Sequence, residues 1–399
     1  MEMDILILAN FCGNLFGKGN NRFLYLAEML SEGHEVEVVT SDFDHGTKAH
    51  YTRSLPETTF KLTLLREKGY PKNVCLRRFA SHRKFGKNFA AYLLKRRKPD
   101  VIYAAVPSLT APLVAADYCR RNGVRFVIDV QDLWPEAFEM VFHVPVLRTL
   151  AFAPFRSMAD RIYASADAVC AVSRTYVDRA LSVNRKVEQG SCVFLGTRLE
   201  DFDCNVREYP VTDKPEGKLW LGYCGTLGSS YDLTCVLDAL ALLREKGAEP
   251  PEFIVMGDGP RRAEFEAYAQ RKNVRVRFTG MLPYAEMCGM LNACDIAVNP
   301  ITAGAAQSII NKHADYAASG LPVLSTQECP EYRDLVDEYH MGFNCKSNNA
   351  ADLAEKLLRL AGDSVLRTEM GRNARRCAKE RFDRENSYPA LARAIEGDG

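Results

Sequence analysis

The stretch that decides the fold is N-P-I-T-A-G-A-A-Q-S-I-I-N-K-H-A-D-Y-A-A-S-G-L-P-V-L-S, residues 299–325. It predicts an apolar strand that ends near Pro300, a loop of small residues, a helix that begins near Ser308 and ends at Gly320, and a strand over residues 322–325. A loop that leads into a helix N-terminus favours an anion, because the first N–H groups of a helix are free and its dipole is positive there. The stretch therefore predicts a strand–helix–strand unit with an anion site.

The side chains of this helix suit the same ligand. Lys312 lies one turn into the helix and adds a cation. Lys312 and Asp315 are three residues apart and Asn311 and Asp315 four apart, so they project on neighbouring faces. A diphosphate and a sugar hydroxyl would match this set. An ordinary strand–loop–helix unit with a surface Lys and Asp would show the same spacing.

The pattern N-K-x-x-D-Y-x-x-x-G-x-P-V, preceded by Gln307 with seven residues between it and Asp315, resembles the donor site of retaining GT-B glycosyltransferases of family 4. Members usually carry Glu-x7-Glu, and here Gln307 and Asp315 replace the two acids. The resemblance implies that position 307 faces the transferred sugar and Asp315 the ribose hydroxyls, and that Lys312 neutralises the diphosphate. It also assigns the residues around the helix start to donor binding: Ser308, Ile309, Ile310 and Asn311.

Length and composition favour two soluble α/β domains. With 399 residues the chain is longer than a single hydrophobic core usually supports. Its composition, 47% apolar and 26% charged residues, is typical of a globular protein. The thirteen cysteines are scattered without C-x-x-C, which indicates reduced thiols in a cytoplasmic protein without a metal site. The acidic N-terminus indicates a first strand rather than a signal peptide. No segment approaches ~18 consecutive apolar residues, so any contact with a membrane would be peripheral.

Charge is unevenly distributed although the net charge is only +1. Residues 61–98 contain thirteen Lys or Arg and one acid, so the rest of the chain must sum to −11. The second half of this region, residues 81–98, predicts an amphipathic helix with an aromatic face. Such a helix can lie on anionic lipid, bind nucleic acid or simply be solvated. No nucleic-acid motif accompanies it, so lipid is favoured, with Arg83, Lys84 and Lys87 as the contacts.

The N-terminal segment reads as strand, loop, helix and strand, which predicts a parallel sheet with ligands at the carboxyl ends of its strands. Its loop lacks G-x-G-x-x-G, which argues against a dinucleotide. The family resemblance places Gly17 and Gly19 near the donor diphosphate and Arg22 in the cleft on the acceptor side. Asp42 and His45 follow the second strand, either as a polar turn or facing the acceptor.

The motif D-L-W-P-E at residues 132–136 follows another buried strand. It is similar to the motif of a bacterial branch of family 4 that often acts in surface-polysaccharide assembly. Many relatives have His one residue before the Asp, where this chain has Gln131, assigned to the acceptor side. Asp132 and Glu136 are catalytic candidates, and Glu136 equally suits the start of a helix.

A second α/β series begins after a polar, breaker-rich segment at residues 203–218, where we place the hinge. Gly225 lets backbone N–H groups approach an anion, and with Thr226 it is assigned to the donor. By resemblance, the backbone around Gly280, Met281 and Leu282 reads the nucleobase. The predicted domains are an acceptor-side domain over residues 1–205, a nucleotide-sugar domain over 206–375, and a C-terminal helix over 376–399 that packs back on the first domain.

The family resemblance implies a GT-B fold of two Rossmann-like domains and a retaining glycosyltransferase that needs no metal or cofactor. It would move a hexose, such as an N-acetylhexosamine, from a UDP-sugar to a polyprenyl-diphosphate-linked glycan at the inner face of the membrane, in capsule or O-antigen synthesis. Nucleic acid is not an expected partner. Two alternatives stay open: a sugar-nucleotide epimerase of similar fold, and a non-catalytic subunit that binds nucleotide sugars.

Overall fold

The computed structural model describes residues 2–13, 15–16, 21–73, 75–136, 145–305 and 309–397, with side chains of the segment that begins at 145 described from 152 onward. The chain forms two compact units. The first comprises residues 1–193 and 388–399, and the second residues 194–387.

The first unit is built on a seven-stranded parallel sheet in the order β5-β2-β1-β6-β7-β8-β9. All six residues of β1, an inner strand of this sheet, are buried, as expected for a parallel sheet covered on both faces. A short antiparallel pair, β3 with β4, projects beyond β2. The strands are β1 (Asp4–Ala9), β2 (Glu35–Ser41), β3 (Phe43–Asp44), β4 (Ala49–His50), β5 (Lys61–Leu65), β6 (Val101–Val106), β7 (Arg125–Val130), β8 (Ala168–Ala171) and β9 (Ser191–Cys192).

Among the described residues of the first unit, five helices precede the chain's passage into the second: α1 (Arg22–Leu30), α2 (Leu76–Leu93), α3 (Thr110–Asn122), α4 (Pro145–Ser165) and α5 (Arg174–Leu181). Helix α2 is the basic helix that the sequence placed over residues 81–98. It begins earlier because Phe85, Phe89 and Leu93 bury one face, which extends back to Arg78, and it ends at Leu93, before the run of four basic residues.

The second unit repeats the design with a six-stranded parallel sheet, in the order β12-β11-β10-β13-β14-β15. Its strands are β10 (Trp220–Cys224), β11 (Glu252–Met256), β12 (Val276–Gly280), β13 (Ile296–Asn299), β14 (Val323–Ser325) and β15 (Gly342–Asn344). In both sheets the order reverses beside the first strand of the unit, which is the doubly wound pattern.

The helices of the second unit are α6 (Leu199–Glu208), α7 (Leu233–Glu245), α8 (Arg262–Lys272), α9 (Tyr284–Asn292), α10 (Asn311–Ala318), α11 (Pro330–Tyr339), α12 (Ala350–Gly362), α13 (Ser364–Cys377) and α14 (Arg384–Ser387), with a π-helical turn at Ala378–Phe382. Helix α10 is the one predicted from Ser308; its described first turn begins at Asn311, and its N-cap is Ile310.

The unit boundaries differ from the predicted ones. The hinge was placed at residues 203–218, but the chain passes between units at 193/194. Helix α6 packs on α9, the backbone of Tyr209 lies against Gly289, and Lys214 forms an ion pair with Asp295 at 2.7 Å. The polar, breaker-rich segment is therefore packed on the second unit.

The C-terminal return also begins later than residue 376. Residues up to 387 stay with the second unit, and helix α15 (Pro389–Glu396) packs on the first. There Leu391 and Ile395 join the core around β1, and the carbonyl of Ala394 accepts a hydrogen bond from Arg125 at 2.9 Å.

Candidate active site

The second unit contains a cavity of about 470 Å³ at the carboxyl edge of its sheet. It lies where β10, β11 and β12 end and where α10 begins, beside the point at which the strand order reverses. Ligands of open α/β sheets bind in this crevice, and the volume falls within the range of small-molecule sites. The residues that line it are Cys224, Gly225, Thr226, Tyr231, Met256, Gly257, Asp258, Met281, Leu282, Tyr284, Met287, Ile310, Asn311, Lys312 and Asp315.

Most donor-site residues proposed from the sequence meet at this cavity: Gly225, Thr226, Met281, Leu282, Ile310, Asn311, Lys312 and Asp315. Gly280 does not line it, but its φ of +77° turns the chain from β12 into Met281. Ile309 is a buried core residue. Gln307, Ser308, Gly17 and Gly19 lie outside the described residues, so their assigned roles remain predictions.

Lys312 is a buried cation whose ammonium has no hydrogen-bond partner among the described residues. The residue is only 7% exposed, and Nζ lies 4.3 Å from the centre of the Tyr223 ring and 3.8 Å from that of Tyr231. Burial lowers the pKa of Lys312 to about 7. A buried ammonium without an acceptor is costly. The arrangement is therefore suited to an anion that enters the cavity.

Gly225 makes room for this lysine. A Cβ at this position would lie 2.8 Å from Lys312 Nζ, and the φ of +140° is one that L side chains rarely adopt. The N–H of Gly225 donates to the carbonyl of Met256 at 2.9 Å, so it is already used within the protein. The predicted role of the glycine as an N–H donor to the anion is therefore corrected: close packing against the lysine explains why glycine is needed here.

Asp315 lies one turn further along α10 and accepts a hydrogen bond from Tyr284 Oη to its Oδ1 at 2.9 Å. Burial raises the pKa of Asp315 to about 6, while the Tyr284 hydrogen bond and the charge of Arg384 oppose the rise. Lys312 and Asp315 thus face one cavity from one helix, as their spacing predicted.

The start of α10 is fixed by two buried side chains. The Nδ1 of His313 accepts from the N–H of Ile310 at 3.2 Å, and its ring stacks on Tyr332 with centroids 3.5 Å apart. Tyr316 Oη donates to the carbonyl of Val298 at 3.0 Å and accepts from the N–H of Cys224 at 3.2 Å. Because Ile310 offers no capping side chain, no described side chain caps the N-terminus of α10, which suits a ligand there.

Sequence reasoning missed the tyrosines that contact the charged pair, among them Tyr231 and Tyr284. Tyr231 covers Lys312 and Tyr284 holds Asp315, but they lie 81 and 31 residues before their partners. Neither belongs to a short motif. Only the Gly-rich turn before Tyr231 and the start of α9 after the loop at Met281 could have drawn attention to them.

Among the acceptor-side predictions for the first unit, Arg22 requires a correction. Its guanidinium forms a two-point ion pair with Asp129, with Nε–Oδ2 2.8 Å and Nη2–Oδ1 3.0 Å, and the two side chains are 2% and 0% exposed. Gln131 donates to the same Asp129 carboxylate at 2.5 Å. Arg22 therefore holds α1 against β7 and is not presented to a ligand.

Asp42 and Glu136 are likewise engaged within the protein. Asp42 accepts from the N–H of Glu67 at 2.8 Å and pairs with Arg66 at 2.9 Å, which organises the turn after β2. Glu136 pairs with Arg179 at 2.7 Å. The structure therefore supports the alternative interpretation of each residue: Asp42 belongs to a structural turn, and Glu136 to the start of a helix, rather than to the site.

His45 and Asp132 lie around a cationic cluster that the sequence did not reveal. Arg78, which is buried, stacks over Trp134 at 4.4 Å and Phe11 at 5.4 Å, and Phe11 also contacts His45 at 4.9 Å. Burial lowers the pKa of His45 to about 4 and raises that of Asp132. The cluster lies at the carboxyl edge of the first sheet, where ligands of such sheets bind.

The comparisons with known proteins agree with this geometry. Residues 20–194 match the family model described as a glycosyl transferase 4-like domain, and residues 218–363 match the one described as glycosyl transferases group 1. The chain is 28% identical over 283 residues to the probable glycosyltransferase WbjE of Pseudomonas aeruginosa, covering 67% of each protein. It is 22% identical over 418 aligned positions to the putative colanic acid biosynthesis glycosyl transferase WcaI of Escherichia coli K12, covering 99% of this chain and all of WcaI.

Among solved structures, the chain is similar to HepE of Anabaena in complex with UDP, with a TM-score of 0.72 and 17% identity, covering 99% of this chain and all of HepE. At this identity the likeness shows the fold. Together with the two family models and the named relatives, it identifies the class: the chain is a glycosyltransferase with the GT-B fold.

Proposed function

We propose that this glycosyltransferase moves a hexose from a UDP-sugar to a lipid-linked glycan with retention of the anomeric configuration, during synthesis of a surface polysaccharide. One observation carries the proposal: Lys312, buried and without a hydrogen-bond partner among the described residues, faces the same cavity as the carboxylate of Asp315. A nucleoside diphosphate offers an anion to the first and ribose hydroxyls to the second. The names of the UDP complex of HepE and of the colanic acid relative support the donor and the pathway class.

In the proposed reaction the acceptor hydroxyl attacks the anomeric carbon from the face that the diphosphate leaves. The carbon–oxygen bond to the acceptor forms while the bond to the β-phosphate oxygen breaks. That oxygen keeps the electron pair and takes up the acceptor's proton. Lys312 and the first turn of α10 stabilise the departing charge, because they are fixed where it develops. Asp315 holds the ribose and so positions the sugar. In the first unit, Asp132 is the catalytic candidate that remains, and His45 is the acceptor-side candidate that remains.

The proposal is tested by incubating the purified protein with a panel of labelled UDP- and GDP-sugars and a polyprenyl-diphosphate-linked acceptor. Transfer of label to the acceptor from a UDP-sugar supports it. Conversion of the sugar nucleotide without acceptor would indicate the epimerase alternative. Binding without any product would indicate the non-catalytic alternative.

The affinity for a UDP-sugar should depend on pH with a maximum between about 6 and 7. The pKa of Lys312 is about 7 in the empty site, and the bound diphosphate favours its charged form, so affinity falls as pH rises above 7, by at most about tenfold per pH unit. The pKa of Asp315 is about 6, and its carboxylate form accepts the ribose hydroxyls, so affinity also falls below pH 6. Titration calorimetry of a UDP-sugar at pH 5 to 9 measures this profile.

A second readout isolates the lysine. At pH 8 donor binding should take up close to one proton, which calorimetry in buffers of different ionisation enthalpy reports. The Lys312→Met variant should take up none. Equal proton uptake by parent and variant, or none by either, would contradict the assignment of Lys312 to the diphosphate.

The membrane part of the proposal rests on helix α2. No described helix is long and apolar enough to cross a membrane. Arg83 and Lys87 are exposed and Lys84 is half-exposed, which leaves the predicted basic face open. Leu76 and Leu94, eighteen residues apart and so on the same side of the helix, are 86% and 85% exposed. A cationic stripe with an apolar residue at each end suits an anionic lipid surface, and we place the enzyme at the inner face of the membrane.

Replacing Arg83, Lys84 and Lys87 by Glu should release the protein from anionic vesicles. Each basic residue near such a surface adds on the order of 1 kcal/mol, and the change both removes three attractions and adds three repulsions. Co-sedimentation with phosphatidylglycerol vesicles at low salt measures the effect, and high salt should mimic it. Reversal of three exposed residues of the second unit, Lys246, Lys346 and Arg372, changes the net charge equally and serves as control. Loss of binding in both variants, or in neither, would refute α2 as the docking surface.

A further inference from the structure

We propose that Tyr284 and Thr197 form a positioning pair that fixes the Asp315 carboxylate for the ribose of the donor and thereby sets the preference for a ribonucleotide. The inference rests on the proposed function, because it assumes a nucleoside diphosphate in the cavity. It adds two residues that no motif in the sequence indicates.

Three side chains form one hydrogen-bonded chain. Thr197 Oγ1 lies 2.9 Å from Tyr284 Oη, and Tyr284 Oη lies 2.9 Å from Asp315 Oδ1. The carboxylate can only accept, so the tyrosine hydroxyl donates to it and the threonine hydroxyl donates to the tyrosine. Tyr284 and Asp315 both line the cavity, whereas Thr197 is only 2% exposed.

The far end of the chain is held rigidly. Thr197 donates its N–H to the carbonyl of Phe382 at 2.9 Å, and its own carbonyl accepts from the N–H of Arg384 at 3.1 Å. These bonds join the segment that enters the second unit to the segment that leaves it. The threonine hydroxyl therefore has a fixed backbone behind it when it donates to the phenol of Tyr284.

The carboxylate needs this support because it is buried. Burial favours the neutral form of Asp315, and the donated hydrogen bond of Tyr284 favours the charged form. The titratable and charged groups that face Asp315 come from four places: Tyr284 and Cys288 of α9, Cys224 of β10, Arg384 of α14, and Lys312 of its own helix. Among them Tyr284 makes the direct hydrogen bond to Oδ1.

Because Oδ1 accepts from Tyr284 and Asp315 lines the cavity, the hydrogen bond fixes the carboxylate and leaves Oδ2 for the ligand. A site built in this way to accept hydrogen bonds from hydroxyls discriminates strongly against an analogue that lacks them, since the buried carboxylate is then left without a partner. Loss of the tyrosine hydroxyl frees the carboxylate to rotate and favours its protonation, and both changes weaken the discrimination.

The test compares binding of UDP with that of 2′,3′-dideoxyuridine diphosphate, because the ratio of the two Kd values cancels the contribution of the diphosphate and of Lys312. For the parent we expect UDP to bind at least about tenfold more tightly at pH 7. In Tyr284→Phe the ratio of the Kd of the dideoxy analogue to that of UDP should fall several-fold. The pH below which this ratio declines should rise from about 6. Thr197→Val should change both the ratio and this pH in the same direction, by smaller amounts.

Tyr268→Phe is the matched control. Tyr268 also donates to a carboxylate, that of Asp238 at 2.9 Å, and neither residue lines the cavity. It should leave ratio and pH profile unchanged. If Asp315→Asn weakens UDP binding but Tyr284→Phe changes neither ratio nor profile, the positioning pair is refuted and the ribose assignment stands. If Asp315→Asn leaves UDP binding unchanged, the ribose assignment itself fails.

Discussion

Replacement of Lys312 by Met is expected to abolish most sugar transfer and at the same time to stabilise the second unit. Loss of one fixed stabiliser of a developing negative charge typically lowers kcat by a factor on the order of 10² to 10³. In the empty protein, however, the ammonium is buried between two tyrosine rings without an acceptor among the described residues. The buried lysine therefore lowers the free energy of unfolding of the empty protein, and the bound diphosphate offsets this loss.

The pH dependence of this cost follows from the pKa of Lys312, which burial lowers from 10.5 to about 7. Below pH 7 the side chain is charged in both the folded and the unfolded chain, so the full cost of burying a charge is present. As pH rises from 7 to 10.5 the folded protein releases its proton first, and the free energy of unfolding increases. The shift corresponds to about 4 kcal/mol at pH 7.

Cation–π contact of the ammonium with the two tyrosine rings offsets about 2 kcal/mol of this cost. We therefore expect Lys312→Met to raise the free energy of unfolding at pH 7 by about 2 kcal/mol, or the Tm of the second unit by about 4–8 °C. The gain should shrink towards pH 10. Lys346→Met, a change at an exposed lysine of the same unit, should alter neither Tm nor turnover. A Tm for Lys312→Met below that of the parent at pH 7, or transfer within tenfold of it, would contradict this account.

Replacement of Arg22 by Met is expected to destabilise the first unit by about 3–5 kcal/mol, because Asp129 would remain buried as an uncompensated charge. Arg22 also donates to the carbonyl of Val193 at 3.0 Å and stacks on Tyr388 at 5.0 Å, so the change loosens α1, the end of β9 and the segment leading into α15 together. Urea unfolding monitored by circular dichroism measures the loss.

Two further variants separate this structural role from the acceptor contact that the sequence predicted. The double change Arg22→Met with Asp129→Leu removes both charges and should recover much of the lost stability. Arg53→Met, at an exposed arginine of the same unit, should have no effect. If Arg22→Met unfolds like the parent but transfers poorly, Arg22 contacts a substrate after all.

The donor half of the site could be predicted because its residues are close in sequence. Lys312 and Asp315 lie on one helix, and helical periodicity alone places them on neighbouring faces. The N-terminus of that helix and the glycine turn at Gly225 are equally local signals. All of these residues line the cavity.

The acceptor side was harder to predict because charged residues at strand ends look alike in sequence. Asp42 and Glu136 were assigned to the site because they follow strands, and Arg22 because the family resemblance places its loop in the cleft. In the structure each is engaged by a partner from another element: Arg66, Arg179 and Asp129, respectively. Arg78, by contrast, was counted only in the basic stretch before the predicted helix and was assigned no role, yet it lies buried against Trp134.

The sequence by itself determined the two α/β units, the parallel sheets and the helix that carries Lys312 and Asp315, because hydrophobic periodicity, turn residues and helix spacing act over a few residues. Only the tertiary structure decided that Tyr231 covers the lysine, that Tyr284 and Thr197 hold the carboxylate, and that Arg22 is buried with Asp129. Those contacts join residues 31 to 107 positions apart. Their formation depends on which strands end side by side, and that is set by the packing of the whole sheet.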